Sequence, residues 1–386
     1  MNILLVTQFL STTKGGGEYV FSLIANGLAS RGHKVWIITH RIENEEYSNF
    51  HKNVTIEFVS SIKYEGGLPP SFSDNIKFVL QAMMKGSRLI KKEKIQLIHS
   101  NNFSPALSSS ILSYLTGVPH VTAMWDIFSL CGDNYWTKWG NQKGVSKLHV
   151  FLGPRFEKLI LKMRHSAIHT ISRASEEDLV KFGSTKPIFV IDPTINLMEQ
   201  STVEPNNLQF VYVGRLVFYK NLETVIRAVA IVKKSYEKIK LAIIGGGPHK
   251  ESLVTLIGQL GLQDNIEFSG FVSEKEKYEV ISSSIAMVFP SLCEGFGLVI
   301  LESFSCSKPV LVSNVRPLSD IVENNKDGLV IEATDERKWA DAMIHIIQDT
   351  ANSQMMGSYG RKKLETHYNL DNSISQIESM YHKIVH

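Results

Sequence analysis

Ile3-Leu4-Leu5-Val6-Thr7, then Gly15-Gly16-Gly17-Glu18, then apolar-periodic residues 19–30, then a second apolar run at 34–39: this opening stretch decides the fold. A short continuous apolar run suits a parallel strand that is buried on both faces. The glycines permit a turn, the periodic segment reads as a helix, and Gly32 closes it. The same unit recurs downstream. Residues 96–100 and 120–124 read as strands, with a helix at 105–115 between them. Strands alternating with helices predict a parallel, doubly wound sheet.

After a break at 187–205 the pattern starts again. Strands are predicted at 210–213, 240–245, 265–269, 285–289 and 309–313, and helices at 222–235, 250–261 and 298–306. Ser273 with Glu276 forms a capping-box pattern that opens another helix. Two such series predict an α/β chain of two Rossmann-like domains facing a central cleft, with ligands at the strand C-ends. The 386-residue length agrees with two domains. The predicted division is 1–190 and 191–370, with a C-terminal helix over 371–386 that could pack back on the first domain.

Composition narrows the function classes. Hydrophobic content of 43% and charged content of 20% are those of an ordinary globular chain. No apolar run reaches the roughly 18–20 residues of a membrane span. Met1–Val6 lacks the basic lead of a signal peptide. Cys131, Cys293 and Cys306 show no metal-ligand spacing and fit reduced thiols in a cytoplasmic protein. Residues 1–190 hold 22 Lys+Arg against 14 Asp+Glu, a net +8, and the rest hold 19 against 24, a net −5. A basic first half favours an anionic partner or membrane surface. The excess is modest and no recognition motif accompanies it, so nucleic-acid binding is not expected.

Several residues could carry chemistry. Gly15, Gly16 and Gly17 lie between a strand and a helix, where free N–H groups can meet an anion; a plain tight turn reads the same way. Gly214-Arg215 follows the first strand of the second half, and Lys220 lies five residues on. Arg can clamp phosphate and Lys adds a point charge, so the pair could neutralise a diphosphate. Gly245-Gly246-Gly247-Pro248 could line a cleft or make a corner. Glu294 and Glu302 first suggest a glycosidase, whose two carboxyls stand about 5–10 Å apart. Eight helical residues span about 12 Å, so an extended ligand fits better: a sugar at Glu294, a ribose near Glu302. The N–H groups of Phe296 and Gly297 at the helix start could bind hydroxyls or phosphate.

With those residues in place, the chain resembles family 4 of the retaining GT-B glycosyltransferases. Pro290 to Glu302, through Glu294, Gly295, Phe296, Gly297 and Leu298, resembles that family's E-x7-E segment. Gly214-Arg215 with Lys220 resembles its phosphate-binding pair, and Phe268-Ser269-Gly270-Phe271-Val272 the strand end that frames the nucleotide base. Lys308-Pro309-Val310 and Asp327-Gly328 continue the match. Gly15-Gly16-Gly17-Glu18 resembles the loop that approaches the donor diphosphate. The likeness is strong over 210–335 and looser before it. The departures are specific. Trp125-Asp126 stands where the family often has His-Asp, Ser319-Asp320 where it has Pro-Glu, Arg316-Pro317 where it has a Gly pair, and Thr194 where it has a linker Gly.

The resemblance implies a nucleotide-diphospho-sugar donor, retention of configuration and a front-face displacement. Its catalytic positions would be Arg215, Lys220, Glu294 and Asp126. Its donor-binding positions would be Gly15, Gly16, Gly17, Gly214, Gly246, Phe271, Val272, Gly295, Phe296, Gly297, Leu298 and Glu302. No metal cluster is visible, so neither metal nor cofactor is expected. The acceptor reading rests on two basic amphipathic segments, 77–94 and 143–164, which suit an anionic membrane surface or the solvated edge of core helices. On the first view the protein sits on the inner face of the cell membrane and the acceptor is a lipid-linked or growing surface glycan. The alternatives are a catalytically impaired nucleotide-sugar-binding protein and a GT-B epimerase or phosphorylase.

Overall fold

The computed structural model describes residues 1–11, 15–43, 45–62, 71–131, 135–140, 147–198 and 206–386. Lys143, in the basic segment 143–164, lies outside them, as does 199–205 of the predicted break. Two compact units result: Met1–Thr194 with Leu370–His386, and Ile195–Asn369.

The first unit is built on seven parallel strands: β1 (Asn2–Val6), β2 (Lys34–Ile42), β3 (Val54–Ile62), β4 (Leu97–Ser100), β5 (His120–Ala123), β6 (Ala167–Thr170) and β7 (Ile188–Val190). Their order is β3-β2-β1-β4-β5-β6-β7. Ile3, Leu4, Leu5 and Val6 are fully buried, as a central strand covered on both faces requires. The helices Phe72–Glu93, Ser104–Thr116, Lys147–Lys162 and Arg173–Lys181 cover one face. Phe78, Ala82 and Leu112 pack there against Leu4, Val6 and Ile98, and Ala106, Ile160 and Leu179 against Ile168.

The other face is covered by the helices Gly16–Ser30 and Leu370–Val385. They meet closely at Gly27, where a Cβ would stand 2.5 Å from Ile374 Cγ1. Arg31 pairs with Asp371 and Glu378, His33 Nε2 lies 2.7 Å from Glu378 Oε1, and the Tyr381 hydroxyl reaches His99 Nδ1 at 2.7 Å.

The second unit has six parallel strands: β8 (Asn206–Val213), β9 (Lys240–Ile244), β10 (Ile266–Gly270), β11 (Ser284–Phe289), β12 (Val310–Ser313) and β13 (Gly328–Ile331), in the order β10-β9-β8-β11-β12-β13. The predicted capping box opens the helix Glu274–Ser283, with Ser273 and Glu276 satisfying each other's backbone N–H groups.

The structure adds strands β3, β6, β7 and β13 to the predicted set. It also starts the first helix at Gly16, not residue 19. Gly16 and Gly17 therefore belong to the first helical turn, and only Gly15, at φ 74°, precedes it. Of the three cysteines read as reduced, Cys306 is a free thiol; Cys131 and Cys293 are not. Among the described residues no helix is long and apolar enough to cross a membrane.

Candidate functional site

Each sheet reverses its strand order at one place: β1 lies between β2 and β4, and β8 between β9 and β11. Ligands of open α/β sheets bind beyond the strand C-ends at such a switch point. The predicted residues fall on these ends in both units.

In the second unit, Gly214 and Arg215 follow β8, and Glu294 follows β11. Lys220, in the short turn Phe218–Lys220, pairs with Glu294 Oε1, which also accepts from Ser291 Oγ at 3.0 Å. Both charged side chains are close to 90% buried. The ammonium of Lys220 stands 5.0 Å from the centre of the Phe289 ring. One backbone and one side-chain bond tie the two loops together: Leu292 N–H donates to the Tyr219 carbonyl at 2.8 Å, and Asn221 Nδ2 to the Pro290 carbonyl at 3.2 Å. Arg215 Nη2 donates to the Tyr219 hydroxyl at 3.1 Å.

Gly245 and Gly247 serve close backbone contact. A Cβ on Gly245 would lie 2.0 Å from the Gly214 carbonyl oxygen, and one on Gly247 2.3 Å from that of Leu216. This part of the glycine run is a corner packed on the β8 loop. Gly246 lies under Phe271, whose ring is 67% exposed beside it, with Val272 partly buried next along the chain.

Glu302 sits in the second turn of the helix Leu298–Ser305. Its Oε1 lies 2.9 Å from Lys277 Nζ, which also reaches Glu274 at 2.7 Å. Oε2 of Glu302 is buried with no protein partner. Burial pushes the Glu302 carboxyl up against the pull of Lys277. Burial works to lower Lys277, but Glu302 and Glu274 outweigh it and its pKa is raised. Gly297, at φ 96°, caps this helix with no side-chain bond, and Gly295 and Leu298 flank the same turn. The Phe296 ring is buried against Tyr368, so only its backbone could meet a ligand.

In the first unit, Gly15 and Gly16 are exposed at the start of a helix that has no side-chain cap. Trp125 and Asp126 follow β5. A Cβ on Gly17 would meet the Trp125 ring at 3.1 Å. The indole also packs on Phe21 and stands edge-on to His169, with ring centres 5.6 and 6.0 Å away. Behind it His169 Nδ1 lies 3.3 Å from His99 Nε2. The Trp125 Nε1 and His169 Nε2 atoms are buried without protein partners. Burial lowers the His169 pKa to about 4 and that of His99 well below the usual value, so both rings are neutral near pH 7.

Comparison with known proteins assigns these two halves. A family model described as glycosyl transferases group 1 matches residues 194–363, and one described as glycosyltransferase family 4 matches residues 14–199. The chain belongs to the group 1, family 4 glycosyltransferases. This glycosyltransferase is 23% identical over 381 residues to the N-acetyl-alpha-D-glucosaminyl L-malate synthase of Bacillus anthracis, covering 96% of this chain and 94% of the relative. It shares its fold with sucrose-phosphate synthase from Thermosynechococcus elongatus (TM-score 0.80, 19% identity, 99% of each chain). The same holds for Anabaena HepE in complex with UDP-glucose (TM-score 0.76, 18% identity, 99% of this chain and 100% of the other). The fold is of the GT-B type.

Two features of the glycosyltransferase were missed from sequence. Lys277 is 25 positions from the Glu302 it holds, and the capping box that opens its helix says nothing of that partner. His99, His169 and Tyr381 meet across separations of 70 and 282 residues. Among the described residues no group of three or more His, Cys, Asp or Glu is arranged to hold a metal ion.

Proposed function

We propose that this glycosyltransferase moves a hexose-type sugar, with retention, from a nucleotide-diphospho-sugar to a lipid-linked or growing surface glycan. The observation that carries the donor side is the pair of buried lysine–carboxylate contacts, Lys220–Glu294 and Lys277–Glu302. Glu302 Oε2, held in place and without a partner, suits a ribose hydroxyl. Glu294, anchored by Lys220 and Ser291, suits the hydroxyls of the transferred sugar. The UDP-glucose complex of the structurally similar HepE supports a uridine diphosphate donor.

The resemblance to the retaining family supports the following chemistry. The acceptor oxygen bonds to the anomeric carbon as the bond to the donor phosphate breaks on the same face. The acceptor proton passes to the departing diphosphate. Arg215 and Lys220 stabilise the charge that grows there, an effect that preorganised cations supply well in a dry site. Gly15, Gly16 and Gly17 offer uncapped helix N–H groups to an anion. Asp126, after β5, is assigned to the acceptor side. Two cations do the neutralising in this scheme, so turnover should survive a metal chelator.

The test has two parts. Thermal shift with UDP, GDP and ADP and their sugars should show stabilisation by one nucleotide family. Arg215→Ala and Glu294→Ala should each lose donor turnover, and unchanged turnover in both would sink the assignment. Binding without any transfer or hydrolysis in the wild type would instead support a binding-only protein.

A further inference from the structure

Three polar side chains run in a row through the interior of the first unit. The Tyr381 hydroxyl, on the helix Leu370–Val385, lies 2.7 Å from His99 Nδ1. His99 Nε2 lies 3.3 Å from His169 Nδ1. His99 is on β4, and His169 is one residue from the C-end of β6. All three side chains are 0–2% exposed. Phe21 packs on His99 from the other helix of this face.

Proton counting fixes the direction of the row. Burial holds both imidazoles neutral near pH 7 and keeps the Tyr381 hydroxyl protonated, so each ring carries one N–H. Between His99 Nε2 and His169 Nδ1, one atom donates and the other accepts. Suppose His169 Nδ1 donates. Then His99 Nε2 accepts and His99 Nδ1 donates to the tyrosine oxygen, and the buried tyrosine O–H finds no acceptor among the described residues. The reverse order satisfies it. Tyr381 donates to His99 Nδ1, His99 Nε2–H donates to His169 Nδ1, and His169 Nε2 carries the last N–H. Leaving a buried donor unmade costs more than a made bond gains, so the reverse order prevails.

The row thus ends on an N–H with nothing to receive it, because His169 Nε2 is buried without a protein partner. The Ile191 main chain favours a proton on this ring but completes no hydrogen bond with Nε2. Trp125, edge-on to His169 with ring centres 6.0 Å apart, repeats the pattern: its Nε1–H is also buried and unpartnered. Neighbouring donors without an acceptor are rare in a native interior. Their chemistry excludes a cation and excludes another donor. It matches a neutral oxygen with lone pairs to offer, such as a sugar hydroxyl. The two residues stand at the C-ends of β5 and β6, where open α/β sheets take ligands.

We infer that Tyr381 is a positioning residue: through His99 it fixes His169 as the Nε2–H tautomer, and that N–H donates to a hydroxyl of the acceptor sugar. Nε2 is buried, so the hydroxyl reaches it only as the neighbouring indole moves aside. The ligand rests on the reading of the first unit as the acceptor side, while the row rests on geometry.

Nitrogen NMR of the full-length protein, carrying isotope-labelled histidine, tests the row without substrate. At pH 7 both His99 and His169 should hold the proton on Nε2 and leave Nδ1 bare. Tyr381→Phe keeps the ring and deletes the donor, so both imidazoles should pass to a mixture of tautomers. A proton on His169 Nδ1 in the wild type overturns the proposal, as do unchanged tautomers in Tyr381→Phe. Turnover of UDP-glucose with methyl α-glucoside as acceptor tests the role. Tyr381→Phe should raise the acceptor KM by about three- to tenfold, the range of one hydrogen bond. The donor KM and the UDP-induced thermal shift should stay at wild-type values. At position 169 the amide nitrogen of Gln falls near the place of Nε2 and that of Asn near Nδ1. His169→Gln should keep the acceptor KM within about threefold, and His169→Asn should raise it by about tenfold. Equal acceptor KM values in the two variants make His169 a packing residue and overturn the assignment. The two readings fail separately. Turnover with the wrong tautomer removes this one alone, whereas absent turnover in a wild type with the expected tautomers counts against the transferase reading.

Discussion

In the second unit the loops and helices that follow the strands carry paired charges, Lys220 with Glu294 and Lys277 with Glu302, each pair about 90% buried. In the first unit they carry rings: Trp125 after β5, backed by Phe21, His169 and His99, with both imidazoles neutral near pH 7. The two sheets share one plan, with the switch point at the first strand of each, yet they solve different electrostatic problems. A diphosphate brings concentrated negative charge and is met by fixed cations. A sugar hydroxyl brings none and is better served by neutral donors and stacked surfaces. On the proposed function the donor belongs to the second unit and the acceptor side to the first, and each half can be perturbed separately.

The largest effect is expected at Lys220. Lys220→Ala leaves the Glu294 carboxylate buried without its partner and, on the proposed mechanism, removes a cation from the diphosphate. Turnover should fall about 10²–10³-fold, and stability by about 3–5 kcal/mol as an upper figure for a broken buried pair. The double variant Lys220→Met with Glu294→Gln removes both charges. It should recover most of the stability in thermal melts and none of the turnover. Recovery of turnover in the double variant would mean that the pair is structural only, and the comparison between the two halves would fail.

Acid should separate the units next. The His169 pKa is lowered to about 4 and that of His120 to about 3, both by burial. The unfolded chain keeps an ordinary imidazole near 6.5. A lowered folded pKa means the unfolded state binds protons first. This contribution is therefore complete above about pH 6.5 and is lost as pH falls from there towards 4. His169 alone is worth on the order of 3 kcal/mol once fully titrated. None of β8 to β13 contains a histidine. Hydrogen exchange followed from pH 7 to pH 5 should show β4, β5 and β6 losing protection before β8 and β11. Parallel loss in both sheets would contradict the contrast.

Lys277→Met probes the donor side more gently. Glu302 would keep its place on the helix but lose the cation that favours its ionised form. The donor KM should rise about tenfold, the scale of a lost charged hydrogen bond, with kcat nearly constant. The rise should be steeper towards acid pH, where the carboxyl protonates. Lys277→Arg should restore most of the affinity. A KM that is indifferent to Lys277 would remove Glu302 from the ribose.

These contrasts also explain what was legible in the sequence. Residues 3–6 of β1, 210–213 of β8 and 285–289 of β11 are continuous apolar runs, and the strand-turn-helix rhythm around them was readable without structure. β6 is only Ala-Ile-His-Thr and β7 three residues long, too short and too polar for a periodicity signal. The helix Phe72–Glu93 was visible as a basic amphipathic segment over 77–94, and its first turn, capped by Ser71, was not. At the site, Gly214, Arg215, Lys220, Glu294 and Glu302 came from local spacing. Their partnerships did not. That Lys220 pairs with Glu294 across 74 residues, or that Tyr381 reaches His99, depends on strand order and helix return.

The smallest expected effect is at Trp125, where the two halves differ most in kind. Trp125→Phe keeps an aromatic ring beside Gly17 and Phe21 and deletes the Nε1–H group. That donor is buried with no protein partner, so its loss costs the free protein no hydrogen bond and relieves an unsatisfied group. The melting temperature should hold or rise slightly. If the indole donates to a substrate hydroxyl, kcat/KM should fall by about two- to tenfold, the value of one net hydrogen bond. The two readouts move in opposite directions only when the donor is reserved for a ligand. A lower melting temperature with unchanged kcat/KM would make Trp125 a packing residue, and the first unit would then contribute surface and no hydrogen bond from this position.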